Sequence, residues 1–155
     1  MVRFRSKKLP TEVVLRDPVH GYIHIEDKVI FDILKAKEFQ RMHRIKQLGP
    51  ISYVFAGATH TRFEHNLGVY ELTRRICDIF AKNYPSQKPG DGLWDDDNRL
   101  LVECAGLLHD IGHGPYSHTF EHLFDTNHEK IGQKIITDPN TEINQALKQV
   151  SPNFP

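Results

Sequence analysis

The chain is poor in several things that would otherwise decide its class. It has two cysteines in 155 residues, Cys77 and Cys104, and no Cys-x-x-Cys spacing. That excludes a disulfide scaffold or a thiol-based zinc ribbon and fits two reduced thiols in a cytoplasmic protein. No stretch approaches the roughly 20 apolar residues of a membrane span. The opening Met1 to Lys8 has no apolar run behind it, so it does not read as a signal peptide. An excess of either charge sign is also missing, since twenty basic residues balance twenty acidic ones. That balance disfavours a nucleic-acid or membrane-surface binder, despite local basic clusters at Arg3–Lys8 and Arg41–Lys46. Internal repeats and low-complexity segments are absent. With 39% hydrophobic and 26% charged residues, what remains is a soluble globular chain long enough for its own core.

What the chain has in excess is histidine, ten in all, most of them at or beyond His60. Imidazole is the commonest metal ligand and the side chain that titrates near neutrality. The densest cluster lies in Leu107-Leu108-His109-Asp110-Ile111-Gly112-His113-Gly114-Pro115-Tyr116-Ser117-His118. Here an apolar helical run ends in a His-Asp pair, and two glycines and a proline then bend the chain.

Around it, periodicity predicts a mainly helical chain. Val13-Val14-Leu15 and Tyr22-Ile23-His24-Ile25, separated by Asp17-Pro18 and His20-Gly21, read as a small hairpin. Asp27 is a candidate N-cap for a helix through Ile30, Ile33 and Leu34. A second helix through Phe39, Met42 and Ile45 stops before Gly49-Pro50. The charged face of that second helix (Arg41, Arg44, Lys46) is as readily a solvated face as a phosphate- or subunit-facing one. Thr61-Arg62-Phe63-Glu64 fits a capping box. The helix it opens carries an apolar stripe at Leu72, Ile76, Ile79 and Phe80 and ends at Asn83-Tyr84-Pro85. Arg62 would sit at the first helical position, where guanidinium and helix dipole both favour an anion. Asp95, Asp96 and Asp97 charge-match the start of the helix through Leu100, Cys104, Leu107 and Leu108. Beyond His113 a helix near Tyr116 places His118, Glu121 and His122 on one face. Thr126 to Glu129 reads as a second capping box before Ile131, Ile135 and Ile136. A final helix carries Ile143, Ala146, Leu147 and Val150.

A lone His-Asp pair is a weak metal signal. The ordered set is more specific: Asp17-Pro18-Val19-His20-Gly21, Phe39-Gln40-Arg41, Ile45-Lys46-Gln47-Leu48-Gly49, His60 to Val69, and His109 to His118. In these motifs the chain resembles the HD-domain superfamily and, within it, the deoxynucleoside triphosphate triphosphohydrolases. The resemblance implies an HD-type helical bundle over residues 27–155 behind an arm and β-hairpin over 1–26. It implies metal ligation by His65, His109 and Asp110, with manganese, iron, magnesium, zinc or nickel as the ion. It implies phosphate contact by Arg62, catalytic roles for His113 and His118, and an acid–base relay through Glu121 and His128. Glu121 stands where the family usually has aspartate. Gln47 and Leu48 match residues that touch the nucleoside, the leucine against the sugar. The implied reaction releases a deoxynucleoside and triphosphate. Other HD-type phosphohydrolases or phosphodiesterases, and non-catalytic nucleotide- or nucleic-acid-binding relatives, are the alternatives. The same resemblance implies a dimer or tetramer and an activating nucleotide. Lys35 and His43 depart from the family pattern at that activator position. It also implies a fourth ligand, an aspartate beyond Pro155, so the chain reads as an N-terminal portion that alone binds metal weakly and is inactive. His20, His24, His43, His60 and His122 are expected to be structural or surface residues.

Overall fold

The computed structural model describes residues 4–88 and 90–154. Two antiparallel strands come first, β1 (Lys8–Asp17) and β2 (Gly21–Asp27). They pair Val13 with Ile25 and Leu15 with Ile23, and an irregularity interrupts the register between Lys8 and Val13. The turn holds because the Asp17 carboxylate accepts from the backbone N–H groups of Val19 and His20, each at 2.8 Å. Period-two alternation sends Ile23 and Ile25 inward, where neither is exposed at all. The hairpin thereby joins the helical core, which a free two-stranded ribbon would need in order to persist.

Helix α1 (Lys28–Lys35) presents Val29, Ile30, Ile33 and Leu34 to that core. Asp27 occupies its N-cap position but makes no capping bond, because its carboxylate pairs with Lys8 at 2.9 Å. The Ser6 hydroxyl serves one of the free N–H groups instead, that of Val29. The second expected helix is shorter than its apolar spacing predicts. Helix α2 covers only Lys37–Gln40 and tightens into a 3₁₀ turn over Arg41–Arg44. Ile45 is already extended, its carbonyl accepting from Arg62 N, and Lys46 bridges to Thr61. That backbone pairing removes the residue that would have continued the helix. A second 3₁₀ turn spans Gly49–Tyr53.

Helix α3 (Arg62–Asn83) starts at the predicted capping box: the Glu64 carboxylate accepts from Thr61 N at 2.8 Å. Its apolar stripe does not face the core. Leu72, Ile76, Ile79 and Phe80 are exposed, and the helix buries Asn66, Leu67, Tyr70, Glu71 and Cys77 instead. Buried polar side chains with partners override the stripe: Glu71 accepts from both Arg74 and Arg75, and Arg75 reaches the His20 carbonyl. After a 3₁₀ turn at Asp96–Asn98, capped by Asp95, helix α4 (Arg99–Leu108) packs along α3. It buries Leu100, Cys104, Leu107 and Leu108. The short helix α5 (His118–Phe124) follows, then α6 (His128–Thr137) and α7 (Glu142–Lys148). The cap of α6 is Asn127, whose side chain accepts from Lys130 N, so the expected Thr126–Glu129 capping box does not form. Helix α7 closes the core with Ile143, Ala146 and Leu147, and the Glu142 carboxylate accepts from Lys37 N. Among the described residues no helix is long and apolar enough to cross a membrane.

One buried carboxylate is poorly matched. Glu103 on α4 is almost fully buried, and its nearest cation, Arg99 at 3.7 Å, is held by Asp78 at 2.7 Å and Asp96 at 3.0 Å. Burial pushes the Glu103 carboxyl from 4.5 up to about 7, only partly opposed by Arg99. Between those two values the folded chain keeps a proton that the unfolded chain has released. This group therefore costs stability as pH rises from about 4.5 to 7. Glu103→Gln should leave stability near pH 4.5 unchanged and raise it at pH 8, by on the order of 3 kcal/mol at most. Denaturant titrations at the two pH values measure the difference. An equal effect at both would show that folding does not raise the Glu103 pKa.

Candidate metal centre

The capping box fixes where α3 begins and so delivers Arg62 and His65 from its first turn. Helix α4 stops at Leu108, and the turn after it delivers His109 and Asp110 to the same place. The Nε2 atoms of His65 and His109 stand 3.2 Å apart, and each lies 3.3 Å from Asp110 Oδ2. Cis ligands about 2.1 Å from one shared ion are separated by roughly 3.0 to 3.4 Å, so this triangle has the edges a coordination face requires. The tautomer fits as well. His109 Nδ1 donates to the Gly106 carbonyl at 2.9 Å, which leaves the Nε2 lone pair free and aimed at the triangle. Two nitrogens and a carboxylate suit a first-row divalent cation, and three protein ligands leave positions open.

Asp110 is the hub of the site. Its carboxylate also receives the buried Arg62 guanidinium through Nη1, and its Oδ1 lies 3.5 Å from His113 Nε2. Burial alone would raise its pKa. The facing imidazoles of His109, His113 and His65 outweigh that and hold it far below the usual carboxylate range. For His109 the shift goes the other way, upward against its own burial, because the ring protonated at Nε2 gains a bond to Asp110. For His113, which is not exposed at all, burial dominates and lowers the pKa, which favours the neutral ring.

A second group adjoins the first. The Glu121 carboxylate lies between two imidazoles, with Oε2 2.7 Å from His118 Nδ1 and Oε1 2.6 Å from His128 Nδ1. Oε1 also accepts from His128 N. Burial would raise the Glu121 carboxyl, but these bonds from His118 and His128 hold it down at about 2. The His113 ring stacks on His128 with centroids 3.8 Å apart and stands edge-on to His118 at 4.7 Å. The expected acid–base residues are therefore one contiguous group, with His118 exposed and His113 wholly interior.

The structure places some expected residues differently from the reading of sequence. Arg62 is turned inward, with Nε donating to Ser117 Oγ at 3.0 Å and Nη1 to Asp110. Gln47 buries its Oε1 without a partner, while Leu48 is half exposed. His43, expected on a charged face, stacks on Phe63 at 3.6 Å. His122 is exposed, as expected.

Two positioning groups were not legible in the sequence. The Arg41 guanidinium donates to the carbonyls of Ile111 and, at 2.7 Å, His113, stapling the turn that carries His109, Asp110 and His113. Ser117 Oγ lies 2.9 Å from the Lys46 carbonyl and 3.1 Å from that of Gln47, while also receiving Arg62. Ser117 and its neighbour Tyr116 both have positive φ, at 54° and 63°, a strained pair of non-glycine residues between the two histidine clusters. Gly112 has its own requirement. A Cβ there would run into the His128 carbonyl and Gly132 N, so α6 can approach the turn only with glycine at that position. After loading with manganese, His109→Ala should lose the ion held at the triangle through dialysis, whereas His122→Ala should leave bound manganese unchanged, as counted by elemental analysis. Equal losses would overturn the assignment.

The family model described as the HD domain matches residues 62–151. The chain is 50% identical over 152 residues to YwfO, an uncharacterised Bacillus subtilis protein, which spans 98% of this chain and 33% of that one. It is 40% identical over 114 residues to the human deoxynucleoside triphosphate triphosphohydrolase SAMHD1, covering 74% of this chain and 17% of that one. A hypothetical protein from Aquifex aeolicus superimposes with a TM-score of 0.70 at 37% identity, over 90% of this chain and 34% of its own. The chain thus spans about a third of the length of these relatives, or less. With His65 and the His109–Asp110 pair converging on one point inside the matched region, the chain belongs to the HD-domain family.

Proposed function

We propose that the chain carries the catalytic histidine–aspartate half of a metal-dependent phosphohydrolase acting on deoxynucleoside triphosphates. The observation that carries the reading is the juxtaposition of the His65–His109–Asp110 triangle with the Glu121-bridged imidazoles. The similarity to SAMHD1, named a deoxynucleoside triphosphate triphosphohydrolase, supports the choice of substrate. The donor set suits manganese, iron, nickel, zinc or magnesium, and such an ion supplies Lewis-acid polarisation of a phosphoryl oxygen and a more acidic bound water.

The residues of this chain then divide the remaining work. The Arg62 pairing and the Arg41 staple hold Asp110 and His113 in register, so the carboxylate need not reorganise during turnover. In the reaction, oxygen from water bonds to the α-phosphorus, the Pα–O5′ bond breaks, and O5′ takes a proton. His118 is the donor. Its Nδ1 is fixed on Glu121, leaving Nε2 as its free nitrogen, and its exposure puts that nitrogen within reach of a bound ligand. Glu121 connects His118 to His128, giving a path by which the proton is replaced. Arg62 lies behind the triangle and adds positive potential for the phosphates. On this reading Gln47 and Leu48 meet the nucleoside, the leucine against the sugar, and the Gln47 carbonyl ties the pair to Ser117. The same reading includes self-association into a dimer or tetramer, for which the exposed Tyr53-Val54-Phe55 run is available.

Product analysis tests the reading. With manganese and a deoxynucleoside triphosphate, the protein at the full length of its relatives should release deoxynucleoside and inorganic triphosphate in equal amounts, whereas these 155 residues alone should be inactive. His118→Ala should lower kcat by roughly 10²- to 10⁴-fold. Release of pyrophosphate or orthophosphate would assign the site to another HD-type phosphohydrolase. Metal-independent binding of single-stranded nucleic acid without turnover would make it a non-catalytic relative.

A further inference from the structure

The Glu121 group has a property that proton transfer alone does not use. Four potential ligand atoms, one each from His113, His118, Glu121 and His128, lie within 4.8 Å of one another. His113 is completely buried, and among the described residues neither of its ring nitrogens makes a hydrogen bond, Nε2 standing 3.5 Å from Asp110 Oδ1. A buried neutral imidazole ordinarily satisfies one donor and one acceptor, so with one nitrogen beside Asp110 the ring still has the other to offer a ligand. Beside it lies a cavity of about 210 Å³ lined by His113, Glu121, His128, Thr126 and Arg41. Thr126 Oγ1 is also buried without a partner.

We propose that His113, His118, Glu121 and His128 form a second cation site, separate from the His65–His109–Asp110 triangle, that takes a borderline-soft transition ion such as zinc or cobalt. Three imidazoles and one carboxylate match the donors zinc prefers and are a poor match to magnesium or calcium, which demand oxygen. The carboxylate supplies the one negative charge, and the neutral rings add none. Tetrahedral ligands about 2.0 to 2.1 Å from zinc sit roughly 3.4 Å apart, so the four atoms must close by a little over an ångström. The freedom to do so is present. His118 is exposed and sits at the start of a helix of only seven residues, whereas His113 and His128 are already stacked in place. Asp110 stands between the two sites, with Oδ2 facing the triangle and Oδ1 facing His113.

Binding at this site does not depend on the phosphohydrolase reading. Its consequence does: an ion held there occupies the nitrogens that would carry protons, so zinc would silence the same chain that a harder ion at the triangle activates.

Metal titration of the purified, chelator-stripped protein tests the site without measuring activity. Cobalt(II) should bind in two equivalents per chain, one giving the intense visible absorption of a four-coordinate ion. His65→Ala should lose one equivalent and keep that absorption. Glu121→Gln and His128→Ala should each lose the absorbing equivalent and keep the other. His118→Ala, altered only at an exposed ring, should weaken the absorbing site at least tenfold without disturbing the fold, and His122→Ala should retain both. A single equivalent in the unaltered protein, or an absorbing equivalent that survives both His118→Ala and His128→Ala, overturns the proposal.

Discussion

The structure depends on keeping one carboxylate ionised in the interior. Asp110 is nearly buried, and desolvating an unpaired carboxylate would cost several kcal/mol. The surroundings offset that cost with one guanidinium and three imidazoles from two parts of the chain. Each partner must then be held in turn. Arg62 is fixed by Ser117, His109 by the Gly106 carbonyl, and the turn bearing His113 by Arg41. Binding chemistry and folding are therefore one set of interactions here. Removing either Arg62 or Arg41 would disturb both.

Much of this was readable in the residues because the relevant signals are local. The capping box at Thr61–Glu64 fixes the phase of α3 to the residue, and that phase sets where His65 points. The apolar run ending at Leu108 predicts the place at which His109 and Asp110 leave the helix. The hairpin followed from its Asp17 turn and alternation, although β1 runs longer than its β-branched core alone indicates.

Where sequence reading fell short, distant partners decided the outcome. Spacing gave α3 an apolar stripe, but periodicity cannot say which of two faces finds the core. Glu71, satisfied by two arginines, turned the other face inward. Arg41 looked like one charge on a basic helix, and only the folded chain brings it to carbonyls some seventy residues on. Ser117 offered no signal, since its three contacts come from segments separated from it by fifty residues or more. The second capping box failed for a local reason, because Asn127 competes with Thr126 for the same position and supplies the acceptor.

The close approach at Gly112 has a wider meaning for how this fold can change. Because α6 is moored against Gly112, residues 113 to 127 form a loop whose two ends touch. The entropic penalty of closing such a loop grows only slowly with its length. Its outermost residues, Leu123 and Phe124, project into solvent at 72% and 63% exposure, whereas His113 and His128 are anchored at its base. Insertions or deletions at that tip can accumulate without displacing either anchor. The loop is thus a place where descendants of one scaffold can diverge in what they admit while keeping the same inner machinery.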